Sequence, residues 1–287
     1  MVKFADRLSW GSRTYVMGIL NVTPDSFSGD GLVTGEDWVE RAVAQGLGQV
    51  ADGAHMLDVG GESTRPGAEP VPEEEEIRRV VPVIRGLAEQ TDTPISIDTS
   101  KAAVAAAALD AGAGMVNDVW GLRLDPALPR LVAERGCPVI LMHNRSRPQD
   151  ARFEARLGGR YVGARYDDLL EDVARELGEL VAGAVGAGIA EDRIILDPGI
   201  GFGKTVEQNL LLIDRLDRIK RLGFPLLSGP SRKSFIGYTL DLPADERVEG
   251  TAAAVAVSIA RGADIVRVHD VRPMARVARM CDAILRR

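Results

Sequence analysis

Eight short apolar runs recur along this chain, and their spacing limits what it can fold into. They read YVMGILNV (15–22), HMLDVGG (55–61), PISIDTS (94–100), MVNDVWG (115–121), PVILMHN (138–144), RIILDPG (193–199), PLLSGPS (225–231) and DIVRVHD (264–270). Each is an aliphatic stretch ending in Gly, Pro, Asn or Asp, the pattern of a strand buried on both faces of a parallel sheet. Helix-forming stretches lie between them, at 36–52, 72–90, 101–111 and 206–222 among others. Pro72 followed by four glutamates reads as a helix start whose acids face solvent and oppose the helix dipole. The alanine-rich run from Lys101 to Leu109 reads as a good helix former and nothing more. Strand-then-helix alternation repeated eight times, with no linker to split it, predicts a single (β/α)8 TIM barrel domain over residues 1–287. Residues 2–17 are expected to form a short N-terminal hairpin closing the barrel floor. A doubly wound open sheet is the rival architecture.

Composition narrows the function classes. The chain has 287 residues, 45% of them hydrophobic and 27% charged, which suits a soluble protein with a sizeable core. A formal net charge of −7 argues against binding nucleic acid by general electrostatics. Two cysteines and three histidines make a disulfide framework and a structural zinc site both improbable. The N-terminus has no apolar signal segment, and no apolar run is long enough to span a membrane, so a cytoplasmic home is expected.

The stretch LDPGIGFGKT (196–205) imitates a nucleotide-binding loop. A phosphate-cradling loop needs Gly, four residues, then Gly-Lys-Thr, but the position where the first Gly belongs is Pro198. The dinucleotide pattern fails at Lys204, and Asp197 just in front would repel a phosphate. The glycines are expected instead to let backbone pass close to a flat ligand or a neighbouring strand.

In barrels of this kind chemistry gathers where the strands end, and nearly every strand here ends in a polar residue. These are Asn21, Asp58 with Glu62, Asp98, Asn117 with Asp118, His143, Asp197, then Ser231 with Arg232 and Lys233, and Arg267 with His269. Singly, each has an ordinary explanation: Asp58 or Asp118 can cap backbone amides, and His143 can pack against a carbonyl. Together they suggest one site. Asp98, Asn117, Asp197 and Lys233 make a set for reading the edge of a planar heterocycle. Asn21, Arg65, Arg267 and His269 suit an anion such as a phosphate ester, with Mg2+ on the oxygen of Asn21.

Longer motifs carry a family resemblance. MGILNVTPDSFS (17–28), DVGGESTRPGA (58–68), ISIDTSK (95–101), VNDVWG (116–121), LMH (141–143), LDPGIGFGK (196–204), GPSRKSFIG (229–237) and RVHDV (267–271) closely resemble the dihydropteroate synthases, in order from about residue 14 to the C-terminus. The resemblance implies a cytoplasmic, usually homodimeric barrel enzyme that is a sulfonamide target. Its reaction would join 4-aminobenzoate to 6-hydroxymethyl-7,8-dihydropterin diphosphate, releasing pyrophosphate and 7,8-dihydropteroate for folate biosynthesis. It further implies that Asp98, Asn117, Asp197 and Lys233 hold the pterin. Asn21, Thr64, Arg65, Arg267 and His269 would meet the diphosphate, with Asn21 as the Mg2+ ligand. Phe27, Ser28, Thr64, Arg65, Pro66, Lys233 and Ser234 would form the 4-aminobenzoate pocket, where backbone amides after Ser234 can receive the carboxylate. Asp98, Asp197, Lys233, Arg267 and His269 would carry the chemistry.

Two departures stand out. Asp30 arrives one position later than the family's pattern in the first loop, and an Arg-rich segment (144–165) follows His143 and is expected to be a solvated βα loop. The competing functional readings are a non-catalytic pterin-binding paralogue and a methyltetrahydrofolate-handling pterin barrel.

Overall fold

Parallel strands and helices alternate along the chain at the predicted places. The computed structural model describes residues 8–23, 37–63, 70–147, 150–162 and 165–286. The barrel strands are β1 (Tyr15–Asn21), β2 (Met56–Gly60), β3 (Ile95–Asp98), β4 (Met115–Asp118), β5 (Val139–Met142), β8 (Ile194–Asp197), β9 (Leu227–Ser228) and β10 (Ile265–Val268). Two further strands, β6 (Ala151–Glu154) and β7 (Gly158–Tyr161), pair antiparallel outside the barrel. The sheet runs β8-β5-β4-β3-β2-β1-β10-β9, and a parallel bridge between Leu196 and Leu226 joins its two ends. Closure of the ring excludes the doubly wound rival.

The period of two along a strand explains both the core and the site. Tyr15, Met17, Met56, Met115, Ile140, Ile195, Leu227 and Ile265 fill the barrel interior as one buried cluster. Their neighbours in sequence, such as Val16, Leu57, Val116, Leu196 and Val266, face outward and pack under the helices. Two residues further along the inner face the side chains change character: Met56 is followed by Asp58, Met115 by Asn117, Ile195 by Asp197 and Ile265 by Arg267. The barrel is thus plugged with apolar side chains below and lined with charged ones at the strand ends.

The helices α1 (Trp38–Ala51), α2 (Glu73–Ala88) and α3 (Ala102–Ala111) match the predicted stretches. The stretch 206–222 does not form one helix. It divides at Arg215 into α6 (Val206–Asp214) and α7 (Leu216–Lys220). The acidic run at the start of α2 is only partly solvated. Glu76 is fully buried, and Lys101 Nζ pairs with it at 2.6 Å and with Glu62 at 2.6 Å. Lys101 therefore does more than begin a helix: it holds a buried carboxylate that would otherwise be costly.

Residues 2–7 of the expected floor hairpin lie outside the described residues. The described part is a turn at Trp10–Ser12, with Leu8 packed on the interior cluster and Trp10 edge-on to Tyr15 at 5.6 Å. The Arg-rich segment is not simply a solvated loop. It contains the β6–β7 hairpin, docked on α8 (Ser234–Leu240): Tyr238 Oη donates to the Gly158 carbonyl at 3.1 Å, and Arg160 lies 4.5 Å from the Tyr238 ring. Two of its arginines form ion pairs within the protein, Arg145 with Glu176 and Arg156 with Asp241.

Closure of the ring depends on its shortest strand. β9 is confined to two residues between Pro225 and Gly229-Pro230, because proline cannot donate to a ladder. Asp264 compensates: its side chain, 5% exposed, accepts from Leu226 N at 2.8 Å and pairs with Lys220. Replacing Asp264 with Ala orphans that buried amide, so chemical denaturation is expected to show a loss of ~1–3 kcal/mol. Unchanged stability would mean that β9 is held by packing alone.

Candidate active site

Six side chains from six strands or their C-terminal loops converge at the C-terminal mouth. Arg267 on β10 is the hub: its Nε donates to Asp58 Oδ2 on β2 at 2.6 Å, and its Nη2 to Asp98 Oδ2 on β3 at 2.7 Å. Asp58 Oδ2 also accepts from Asn117 Nδ2 on β4 at 2.9 Å. That bond orients the amide, leaving Asn117 Oδ1 as an acceptor for anything bound in the mouth. Asp197 at the end of β8 accepts from Gly199 N at 2.7 Å, and Lys233, in the loop after β9, donates to the Ile200 carbonyl with its Nζ 4.5 Å from the Phe202 ring.

Burial governs the ionisation of this group. It raises Asp98 above the usual carboxylate range, with Arg267 opposing and Asp58, Asp118 and Glu76 adding to the rise. It likewise raises Asp197, against the pull of Lys233 and of Gly199 N. The Lys233 ammonium is pushed down to about 8, chiefly by burial, with Asp197 holding it up. Burial also works against the charge of Arg267, but Asp58 and Asp98 more than offset it. These groups are therefore poised to gain from a ligand whose donors and acceptors replace the lost water.

The remaining predicted residues fall into three groups. Asn21 ends β1, half-buried, and His269 follows β10 with its Nδ1 3.0 Å from Ser231 Oγ; both are on the same rim. Ser234 begins α8, with Lys233 as its N-cap residue. Phe27, Ser28, Asp30, Thr64, Arg65 and Pro66 lie outside the described residues.

Other strand-end residues serve the scaffold. Asp118 accepts from Trp120 N at 2.9 Å and Leu122 N at 2.6 Å, which is the ordinary capping role. Arg232 is paired with Asp270 at 2.6 Å. His143 points away from the mouth, to Lys204 and Glu176. The decoy loop is resolved too: Lys204 is buried on protein acceptors, and Thr205 caps α6 in a reciprocal box with Gln208.

Sequence reasoning left Asp58 between two roles and overlooked Phe202. For Asp58 the signal was available: it stands two residues beyond interior Met56, so it must face the mouth and not a loop. Phe202 had no such marker, because its place depends on the path of a loop.

The fit to Mg2+ turns on the chemistry of the donor set. Among the described residues no group of three His, Cys, Asp or Glu side chains could hold a metal ion. One amide oxygen at Asn21 fits an ion carried mainly by a diphosphate and water, the usual habit of Mg2+. A cleft of about 680 Å³ lies elsewhere, between α10 (Val271–Leu285), the end of α1 and the start of β1 and β2, and none of the predicted site residues lines it.

Comparison with known proteins shows the family of the chain. A family model described as pterin binding enzyme matches residues 17–269. The dihydropteroate synthase of Bacillus subtilis is 49% identical over 97% of this chain and 91% of its own length. The crystal structure of dihydropteroate synthase from Clostridium difficile, solved with pteroic acid, superposes with a TM-score of 0.88 at 44% identity, covering 98% of this chain and 100% of that one. That of Xanthomonas albilineans, solved with 4-aminobenzoic acid, gives 0.84 at 46% identity, covering 95% and 93%. A barrel with this constellation at its mouth, matched along nearly its whole length, belongs to the pterin-binding enzymes and, within them, to the dihydropteroate synthase family.

Proposed function

We propose that this chain condenses 6-hydroxymethyl-7,8-dihydropterin diphosphate with 4-aminobenzoate, giving 7,8-dihydropteroate and pyrophosphate. The observation that carries this reading is the cluster of two carboxylates, one amide and two cations, Asp98, Asp197, Asn117, Lys233 and Arg267, around one mouth. Asp98 and Asp197 accept from the donor edge of the pterin, while the Asn117 amide oxygen and Lys233 meet its remaining polar atoms. His269 and Arg267, whose Nη1 has no protein partner among the described residues, face the diphosphate end. Asn21 is the protein ligand proposed for Mg2+, which when bound adds positive charge beside the leaving group.

The reaction is displacement at the methylene carbon of the pterin. The carbon–oxygen bond breaks and pyrophosphate leaves with the electron pair, its growing charge met by Arg267 and His269. The ring shares the positive charge left on carbon, and the carboxylates of Asp98 and Asp197 favour that form. The amine nitrogen of 4-aminobenzoate then bonds to the methylene and afterwards sheds its proton. Position and exclusion of water suffice for the attack, so no nucleophilic side chain is needed.

A full pterin set beside anion-binding residues supports this reading over the non-catalytic paralogue. The methyltetrahydrofolate-handling barrel has no use for His269 and Arg267 beside a leaving diphosphate. We further propose a homodimer. α9 (Val248–Ala260) and α10 pack side by side, and their outer face exposes Val257, Met280 and Ile284, with exposures of 41%, 62% and 53%. A second copy of this chain is the occupant we assign to that face. A cytoplasmic location is proposed as well, in keeping with two cysteines that are both free thiols. No described helix is long and apolar enough to cross a membrane.

Four outcomes are expected. Protein incubated with the dihydropterin diphosphate, 4-aminobenzoate and Mg2+ will release pyrophosphate, and Asp197→Ala will keep its fold but lose ~2–5 kcal/mol of pterin binding. Binding without release would defeat the synthase reading. Because burial raises the Asp98 and Asp197 carboxyls, and the ligand's donors need them ionised, pterin affinity should fall on acidification while the pH is still above the ordinary carboxylate range of about 4. Calorimetric titrations across that range would contradict this if affinity held constant until that ordinary range was reached. Sedimentation should give a dimer for the natural chain and a monomer for M280E/I284E; a monomeric natural chain would dismiss the assigned face.

A further inference from the structure

Behind Asp197 runs a buried polar chain that the chemistry above does not use. Lys204, only 2% exposed, directs its Nζ at the Gly199 carbonyl (3.0 Å), the Phe202 carbonyl (3.1 Å) and His143 Nδ1 (3.1 Å). His143 Nε2 lies 3.0 Å from Glu176 Oε2 on α5 (Leu169–Gly186), and Arg145 Nε donates to Glu176 Oε1 at 3.0 Å. Arg145 also lies 4.3 Å from the ring of Tyr166, whose hydroxyl donates to the Gly203 carbonyl at 3.0 Å.

Hydrogen counting fixes the protons in this chain. Three acceptors surround one nitrogen, and only an ammonium has three N–H bonds to satisfy them. Glu176, ion-paired with Arg145, can only accept, so the imidazole proton sits on Nε2, and in a neutral ring Nδ1 is left to accept from Lys204. Burial, followed by the nearby Lys204 charge, holds His143 down to about 3, so the ring is neutral. Burial also draws Lys204 down to about 7; Asp197 and Glu176 support its charge, while Lys233 and Arg145 oppose it.

Backbone packing makes the connection rigid. A Cβ on Gly199 would come within 1.9 Å of the His143 carbonyl oxygen, and one on Gly203 within 2.5 Å of the Arg145 carbonyl carbon. Both glycines have positive φ, +72° and +60°. The loop at 198–205 is thus moulded onto the start of the segment after β5. Between the two carbonyls that Lys204 grips stands Ile200, whose carbonyl accepts from Lys233, and Phe202 itself supplies the ring beside Lys233.

We propose that Lys204 is a positioning residue of the pterin site, its ammonium tying the 198–205 loop to His143 and so setting where Asp197, Phe202 and Lys233 stand. The proposal rests on the reading of Asp197 and Lys233 as pterin-binding groups. It predicts that the loop after β8 is held by a charge and not by apolar packing. It also gives His143 a role that involves no contact with substrate.

The test compares natural protein with K204M, H143L and H143N, measuring affinity for the dihydropterin diphosphate, KM for 4-aminobenzoate, kcat and melting temperature. K204M and H143L should weaken pterin binding about tenfold or more and lower kcat, with the KM for 4-aminobenzoate within about twofold of natural. H143N, whose Oδ1 can stand in for Nδ1 as the acceptor from Lys204, should recover pterin affinity to within about threefold. Variants that melt earlier yet bind pterin like the natural chain would reduce Lys204 to a structural role and overturn the proposal. Should K204M not fold, nitrogen NMR of His143 in the natural protein decides independently. The expected signal is an Nε2–H tautomer that does not titrate between about pH 5 and 8, and a ring titrating near its ordinary value of about 6.5 would refute the chain. Natural protein that bound no pterin would instead sink the site reading, and this proposal with it.

Discussion

One guanidinium between two carboxylates underlies the whole site. Arg267 reaches across the barrel mouth to Asp58 and Asp98, which come from the neighbouring second and third strands and would otherwise repel each other in a desolvated space. Taking such charges out of water costs several kcal/mol per ion by the usual order of magnitude, which only close geometry and hydrogen bonds can offset. Here the offset is incomplete. One oxygen of Asp58 is buried with no hydrogen-bond partner, and both Asp98 and Asp197 are held above their usual range. A site left in this state favours a ligand that brings the missing donors, and a pterin ring does.

Strand geometry makes the convergence possible. The inner faces of β2, β8 and β10 change from apolar to charged within two residues, and that of β4 from apolar to an amide, so one step of the pleat separates the plug of the barrel from its chemistry. Met56 and Asp58, or Ile195 and Asp197, are neighbours on one face with opposite tasks. The charges stand on strands, whose positions are fixed by parallel pairing on both sides, and this pre-organises them without a bound ligand. The cations are less uniform: Arg267 is on a strand, whereas Lys233 stands in a loop and depends on the 198–205 segment for its contacts.

That difference also explains what could be read from the sequence. Strands, their order and the inward-facing residues Asp98, Asn117, Asp197 and Arg267 follow from a two-residue period and from motifs of high specificity. Asp58 was legible by the same rule, though its alternative as a cap obscured it. The roles of Lys204, His143 and Phe202 were not legible, because they depend on how two loops fold against each other, and no local periodicity encodes that. Glu76 was misread for a similar reason. Within a run of four glutamates nothing local marks the one that turns inward, and only Lys101, from another βα unit, shows it. The β6–β7 hairpin escaped notice because its strands are short and, apart from Tyr161, largely solvent-facing, so they lack the alternation that announces a strand.

The inward charges at the strand ends, and no other part of the molecule, are the groups expected to receive the pterin. A crystal structure of the complex with the dihydropterin diphosphate tests it most directly. The ring should lie in the mouth, with donors on Asp98 and Asp197 and the Asn117 oxygen within hydrogen-bond reach. A pterin found instead between α10 and the end of α1, in the cleft beside Arg276 and Arg279, would contradict the claim.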